Sequence, residues 1–411
     1  MISLGTHDQT VSNSDLAKYR EYLKKLTNAV ALDHWNHQLR DEGKWVDFKP
    51  LNSTEMRKVE ELQQFLRDAG FLPYARIDGI CGYRTAAAIF LFQEYVRTIE
   101  GKSEIGFPDG RFGSVSLQHV RRWQANQDKA DWTAFSSANP SPEYVQVMNL
   151  LQAAKSHYLE KPSATLIKVN AASTCDTVKV VDWDFDPEKT HLIGIRRRKA
   201  SQAGAAQSLD DVYKLLIRGV VFTFFGSTEP GTKDASLYPF LVPGQHRYRF
   251  GWHKQSDQTK IFHALRPLGR GVWVQRSAHL IPTDADLNGP LDGPNPTINV
   301  HWGGEGLTDS AAWSAGCQVI AGKSYSNHHE KVIDCSPFAA TNYSGLGEED
   351  AKGVYLTKGA YTVLENLVAA FSGANPDDNI VRYTLLNESD LKFSPEIYAE
   401  QTLDLLQQMK A

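Results

Sequence analysis

The chain has 411 residues, of which 41% are hydrophobic and 22% charged, a length at which two or three compact units are expected. Its formal net charge of -4 offers no basic field for a phosphate backbone, which excludes nucleic acid as an expected partner. No stretch of about 18 apolar residues suggests a membrane span, and Cys81, Cys175, Cys317 and Cys335 lie far apart without CxxC pairing, which argues for free thiols.

Residues 1–50 read as a helical segment, with Leu16, Tyr19, Leu23 and Leu26 at helical spacing on one side. His34 and His37 share a helix face but no third ligand accompanies them, so a packing helix is the expected role. Residues 51–130 contain an internal repeat. Asp78-Gly79-Ile80-Cys81-Gly82 leads through Thr85 to Phe92-Gln93, and Asp109-Gly110-Arg111-Phe112-Gly113 leads through Val120 to Trp123-Gln124. The glycines suit tight turns, the segments after them read as amphipathic helices, and Cys81, aligned with Phe112, is expected to be a buried apolar plug. With the Leu62-Gln63 helix upstream, the stretch resembles the peptidoglycan-binding domain family, which implies a helical domain that holds glycan or stem peptide in a shallow groove.

Residues 131–162 carry a Ser-Pro-initiated helix ending at Pro162, expected to be a linking stalk. From 163 to 390 the pattern changes to β-branched and aromatic runs, TLIKV, TVKVV, HLIGI, VVFTFFG, VWVQR and TINVHW, with a helix at YTVLENLVAAF and a strand at NIVRYTLL. Residues 391–411 form a terminal amphipathic helix, with Ile397, Leu403, Leu406 and Met409 docking back. The expected fold class is multidomain α+β, an all-α N-terminal part followed by a mainly-β part with flanking helices.

Residues 298–320, INVHWGGEGLTDSAAWSAGCQVI, run from a strand through a Gly-rich loop to Cys317. A thiol is a useful nucleophile only as thiolate, which needs a base or a favourable dipole nearby, and His301, sixteen residues earlier, is the candidate base. Strand, loop and returning strand bring such residues together. His301, Ser314, Gly316 and Cys317 stand in the order and spacing of the L,D-transpeptidase catalytic domain, and the stretch resembles that family. Ala315 replaces the second His of its motif, Trp302 follows the first His, and Gln318 takes the place after the Cys.

The resemblance implies a mainly-β catalytic domain and two-step acyl transfer at the L,D bond of a peptidoglycan stem peptide. His301 would take the Cys317 proton, Gly316-Cys317 N–H groups would face the oxyanion, and Ser314 would orient His301 through its hydroxyl or carbonyl. Trp302, Gly303, His253, Tyr248 and Gln318 are the expected substrate contacts, and Ser227, Thr228 and Pro230 occupy the stretch that feeds the donor groove in the family. No cofactor is expected. No metal is expected either, since His246, His253, His301 and the His328-His329 pair show no joining ligand spacing. Crosslinking, trimming by L,D-carboxypeptidase action and D-amino-acid exchange all remain open, and a catalytically decayed peptidoglycan-binding scaffold is the alternative. The first 25 residues lack the basic and apolar regions of a secretory leader. Because peptidoglycan lies in the periplasm or cell wall, a dedicated secretion machinery is the expected route, as for an antibacterial effector with a partner immunity protein.

Overall fold

The computed structural model describes residues 1–27, 46, 48–52, 58–197, 209–234, 236–253, 262–304, 314–373, 379–391 and 404–411. His34, His37, Ile397 and Leu403 lie outside the described residues.

The N-terminal part holds β1 (Thr6–His7), α1 (Asn13–Thr27), β2 (Lys49–Pro50), α2 (Val59–Asp68), α3 (Tyr83–Thr98) and α4 (Ser114–Asn126). The repeat is structural, and a buried glutamine clasps each turn. Gln63 Nε2 donates to Asp78 Oδ1, the Ile80 carbonyl and Thr85 Oγ1, while its Oε1 accepts from the Asp78 and Gly79 N–H groups. Gln93 does the same for the second turn, reaching Asp109 Oδ1, the Arg111 carbonyl, Ser116 Oγ and the Asp109 and Gly110 N–H groups. Gly79 and Gly110 both stand at φ 70, which a side chain rarely adopts. Gly82 and Gly113 are extended helix caps instead. Cys81 and Phe112 are buried together in the core.

The remaining elements are α5 (Pro142–Glu160), α6 (Ala164–Ala171), β3 (Thr177–Val178), β4 (Thr190–Arg196), β5 (Asp211–Ile217), β6 (Val220–Ser227), β7 (Tyr238–Leu241), β8 (Gly244–His253), β9 (Phe262–Pro267), β10 (Val272–Ser277), β11 (Asp292–Asn295), β12 (Val300–Trp302), β13 (Gln318–Ser326), β14 (Val332–Asp334), α7 (Ala360–Phe371), β15 (Val381–Asn387) and a helix, α8, over 404–410. Strands β12, β9, β8, β15, β4, β5, β6 and β13 follow one another, and β13 pairs back onto β12, closing a barrel. The fold is thus mixed α and β, with the strands concentrated in the C-terminal half.

Two expected elements differ. TLIKV lies in the helix α6, because Ser163 caps it by accepting the Leu166 N–H and Leu166 and Val169 bury at helical spacing. TVKVV is a strand only at Thr177–Val178 before a single 3-10 turn. Helix α5 is no free stalk: Tyr144, Val147, Leu151 and Tyr158 pack with Ile193, Leu216, Val221 and Leu386 of the barrel. Helix α3, apolar on nearly every side, packs against α7, so residues 59–126 and the barrel share one continuous core. As expected, α8 docks through Leu406 and Met409, here against Phe225, Val319 and Ala321. No disulfide joins any two of the four cysteines, and all four are buried. Among the described residues no helix is long and apolar enough to cross a membrane.

Candidate active site

Strands β12 and β13 run parallel, with Val300 opposite Gln318, His301 opposite Val319 and Trp302 opposite Ile320. Val300, Trp302 and Ile320 face the main core, whereas Val319 and Ala321 face α8, so His301 lies on the side away from the main core. Cys317 directly precedes β13, two residues before Val319. Strand spacing then puts its Cα about 8 Å from that of His301, within reach of two side chains. Cys317 is 9% exposed; its Sγ donates to the Thr297 carbonyl at 3.2 Å and accepts the Asn299 N–H at 3.3 Å.

Gly316 makes this entry to β13 feasible. It stands at φ 101, and an added Cβ would lie 2.6 Å from Pro239 Cγ and 2.7 Å from the Pro239 carbonyl oxygen. Glycine alone fits there.

His301 is 2% exposed, and its Nδ1 donates to the carbonyl of Trp302 at 2.7 Å. A carbonyl only accepts, so Nδ1 carries the proton and Nε2 holds the lone pair of a base. The His253 ring stacks on that of His301, with centroids 4.5 Å apart and planes at 24°. Asn299 links the parts: its backbone meets the thiol, and its Nδ2 donates to His253 Nδ1 at 2.9 Å. Asn299 Oδ1 is buried and accepts no hydrogen bond among the described residues, and such an acceptor costs free energy until a donor arrives.

Arg266 completes the electrostatics. The Val300 to Leu265 pairing of β12 with β9, continued by one residue, sets Arg266 opposite Asn299. Burial pushes the Arg266 guanidinium down to about 10, with Arg249 adding to the shift, while the nearby Cys317 opposes it. A fixed positive charge beside a thiol favours the thiolate. Tyr343 is a further neighbour, its hydroxyl pushed up to about 12 by burial and by Cys317. Asn299 stands two residues before His301 but is not among the expected site residues, and neither Arg266 nor Tyr343 lies in the 298–320 stretch; strand pairing alone brings Arg266 from β9.

Several expected roles change. The orienting partner of His301 Nδ1 is the Trp302 carbonyl, whereas the Ser314 carbonyl accepts the Gly231 and Thr232 N–H groups. The Trp302 ring is fully buried in the core and is no substrate contact. Gly303 donates its N–H to the Ile320 carbonyl, and a Cβ there would meet Val319 Cγ1 at 1.9 Å, so it serves strand packing. Tyr248 is fully buried, its hydroxyl donating to the Ile298 carbonyl. Gln318 is fully buried too, donating to the Gly316 carbonyl and accepting from the Tyr383 hydroxyl, which braces the turn before Cys317. Thr228 is held by Arg196 and Asp211 inside the protein, and Ser227 is buried, so neither lines a groove. His246 is buried between Thr177 and the Val242 carbonyl, and burial lowers its ring to about 3. Of the five expected substrate contacts, His253 alone lies against His301.

A cavity of about 470 Å³ lies between the second repeat turn and the end of the barrel, with Tyr83, Asp109, Arg111, Trp252, Tyr355 and Lys358 among its lining. Phe262 lines it as well and packs edge-on against His301 at 6.3 Å, so a single ring separates the cavity from His301. No family model, curated protein or solved structure matches this chain.

Proposed function

We propose that the chain is a cysteine acyltransferase of the L,D-transpeptidase type that acts on peptidoglycan stem peptides. One observation carries the reading: Cys317 directly precedes β13, the parallel neighbour of the strand that carries His301, and the Trp302 carbonyl holds His301 in the tautomer with a basic Nε2. In this reading His301 takes the Cys317 proton and the thiolate attacks the carbonyl carbon between the L- and D-centres. The tetrahedral intermediate, facing the Gly316 and Cys317 N–H groups, collapses as the C–N bond breaks. The D-alanine amine leaves with the proton that His301 returns, and a thioester remains. An amine then yields a crosslink or an exchanged D-amino acid, and water yields a trimmed stem. Arg266 favours the thiolate, and the Asn299 Oδ1 acceptor suits an N–H of the bound peptide. No cofactor or metal enters this chemistry.

The clasped repeat supports the reading of residues 51–130 as a peptidoglycan-binding unit and of the barrel as the catalytic domain. Its signature residues act as turn clasps, which moves the expected glycan contact to the adjoining cavity, where aromatic faces and charged groups suit a sugar. The substrate sets the periplasm or cell wall as the place of action.

The test is intact-mass spectrometry after incubation with a carbapenem or a disaccharide-tetrapeptide. A single adduct that disappears in Cys317→Ala supports the reading. Wild-type protein that forms no adduct and releases no D-alanine, yet sediments with peptidoglycan sacculi, would establish the scaffold alternative.

A further inference from the structure

Away from the thiol, at the far end of β13, two adjacent histidines meet an aspartate from the N-terminal part. His328 Nε2 lies 2.8 Å from Asp131 Oδ1, and His329 Nε2 lies 2.5 Å from Asp131 Oδ2. The two imidazole centroids are 4.3 Å apart, and the three facing atoms all lie within 4.8 Å of one another. Nine strand residues separate this cluster from Cys317, roughly 30 Å along the sheet.

We propose that Asp131, His328 and His329 form a binding site for a divalent transition-metal ion, zinc being the best fit, which ties the end of the helical part to the β13–β14 turn. As an arrangement of hydrogen bonds the cluster needs one proton on each Nε2, both aimed at a single carboxylate. A divalent cation replaces both protons with one charge that two neutral imidazoles and a carboxylate satisfy together. Zinc takes such ligands at about 2.0–2.2 Å in a tetrahedron, which sets neighbouring ligand atoms a little over 3 Å apart. The separations here, 2.5 and 2.8 Å across the two N–O pairs and no more than 4.8 Å within the cluster, bracket that value, so a small shift of the exposed groups reaches it.

The surroundings permit that shift and hold the rest still. His328 has 1% of its side chain exposed and packs beside Trp132 and Phe222, with centroids at 5.4 and 5.6 Å, so one ligand is immobile. The turn that presents it is tied by Asn327 Oδ1, which accepts the His329 and Lys331 N–H groups. On the other side the Asp131 N–H donates to the Tyr95 hydroxyl. The His329 side chain is 50% exposed and that of Asp131 38%, so both can adjust, and the outer side is open to water as a fourth ligand. Two nitrogens and one carboxylate oxygen with water suit zinc, nickel or cobalt in preference to calcium or magnesium. His-His in a turn carries no spacing signal in the sequence, because its third ligand is almost two hundred residues away.

Cobalt provides the test, because its d–d bands report coordination directly. Metal-stripped full-length protein is titrated with CoCl₂ and then with ZnCl₂, alongside His329→Ala and Asp131→Asn, with circular dichroism to check that each variant is folded. The expected result is one equivalent of Co²⁺ with visible bands and no thiolate charge-transfer band, displaced by Zn²⁺. Each variant should bind at least tenfold more weakly, and Zn²⁺ should raise the melting temperature of the wild type alone. Absence of bands in wild type, undiminished binding in a folded variant, or a thiolate charge-transfer band pointing to Cys317 would overturn the proposal.

Discussion

Replacing Gly316 by Ala tests how the barrel presents its nucleophile. At φ 101 an alanine is held in a sparsely populated conformation, at a cost of about 1–3 kcal/mol. Its Cβ would lie 2.6 and 2.7 Å from Pro239 Cγ and the Pro239 carbonyl oxygen, and backbone does not move aside as a flexible side chain does. Overpacking of that kind adds about 1–3 kcal/mol, so a loss near 4 kcal/mol is expected. The relaxation pushes on the peptide that carries Cys317, and a displacement on the order of 1 Å reduces a positioned reaction about 100-fold. Gly113→Ala is the matched control: Gly113 has φ -115 and nothing within 4 Å of a new Cβ, so its cost should stay under about 1 kcal/mol. Guanidinium denaturation measures the stabilities, and the rate of adduct formation by intact mass measures the chemistry. If Gly316→Ala matched Gly113→Ala in stability and the wild type in adduct rate, the account of the Gly316 turn would fail.

Arg266→Gln removes the cation beside Cys317, so the pH profile of Cys317 alkylation should move upward by about one unit or more, and an unmoved profile would remove Arg266 from the site. Gln63→Ala and Gln93→Ala each leave two turn N–H groups without their acceptor, with a similar expected loss of about 3 kcal/mol; Gln124→Ala, at an exposed position with no third turn to clasp, should be neutral by the same denaturation. Glu365 is buried, which raises a carboxyl, yet the Lys358 charge and the His263 hydrogen bond hold it below its ordinary 4.5, at about 2. A depressed carboxyl stabilises the fold above its unfolded value and loses that contribution as pH falls from about 4.5 towards 2, on the order of 3 kcal/mol in full. Wild type should therefore lose more stability than Glu365→Gln between pH 5 and pH 3; parallel losses would count against the pairing.

Local signals were enough for much of this protein. The repeat, its left-handed glycines, the plug role of Cys81 and the strands β4, β6, β10, β12 and β15 follow from short-range patterns, since turn chemistry and side-chain alternation are written in neighbouring residues. The spacing of His301 and Cys317 likewise predicts a strand, a loop and a returning strand, and β12 and β13 supply the two strands, side by side and parallel. Which side chains face a substrate was beyond that reach. Trp302, Gly303, Tyr248 and Gln318 sit where a motif suggests contact, but each is absorbed into the packing that supports Cys317. Ser314 yields its orienting role to the Trp302 carbonyl because a main-chain acceptor leaves no trace in residue identity. Arg266 and Asp131 enter their clusters only through pairing between elements distant in the chain. Burial direction and long-range register are properties of the closed barrel, and a linear pattern carries the first only as a period and the second not at all.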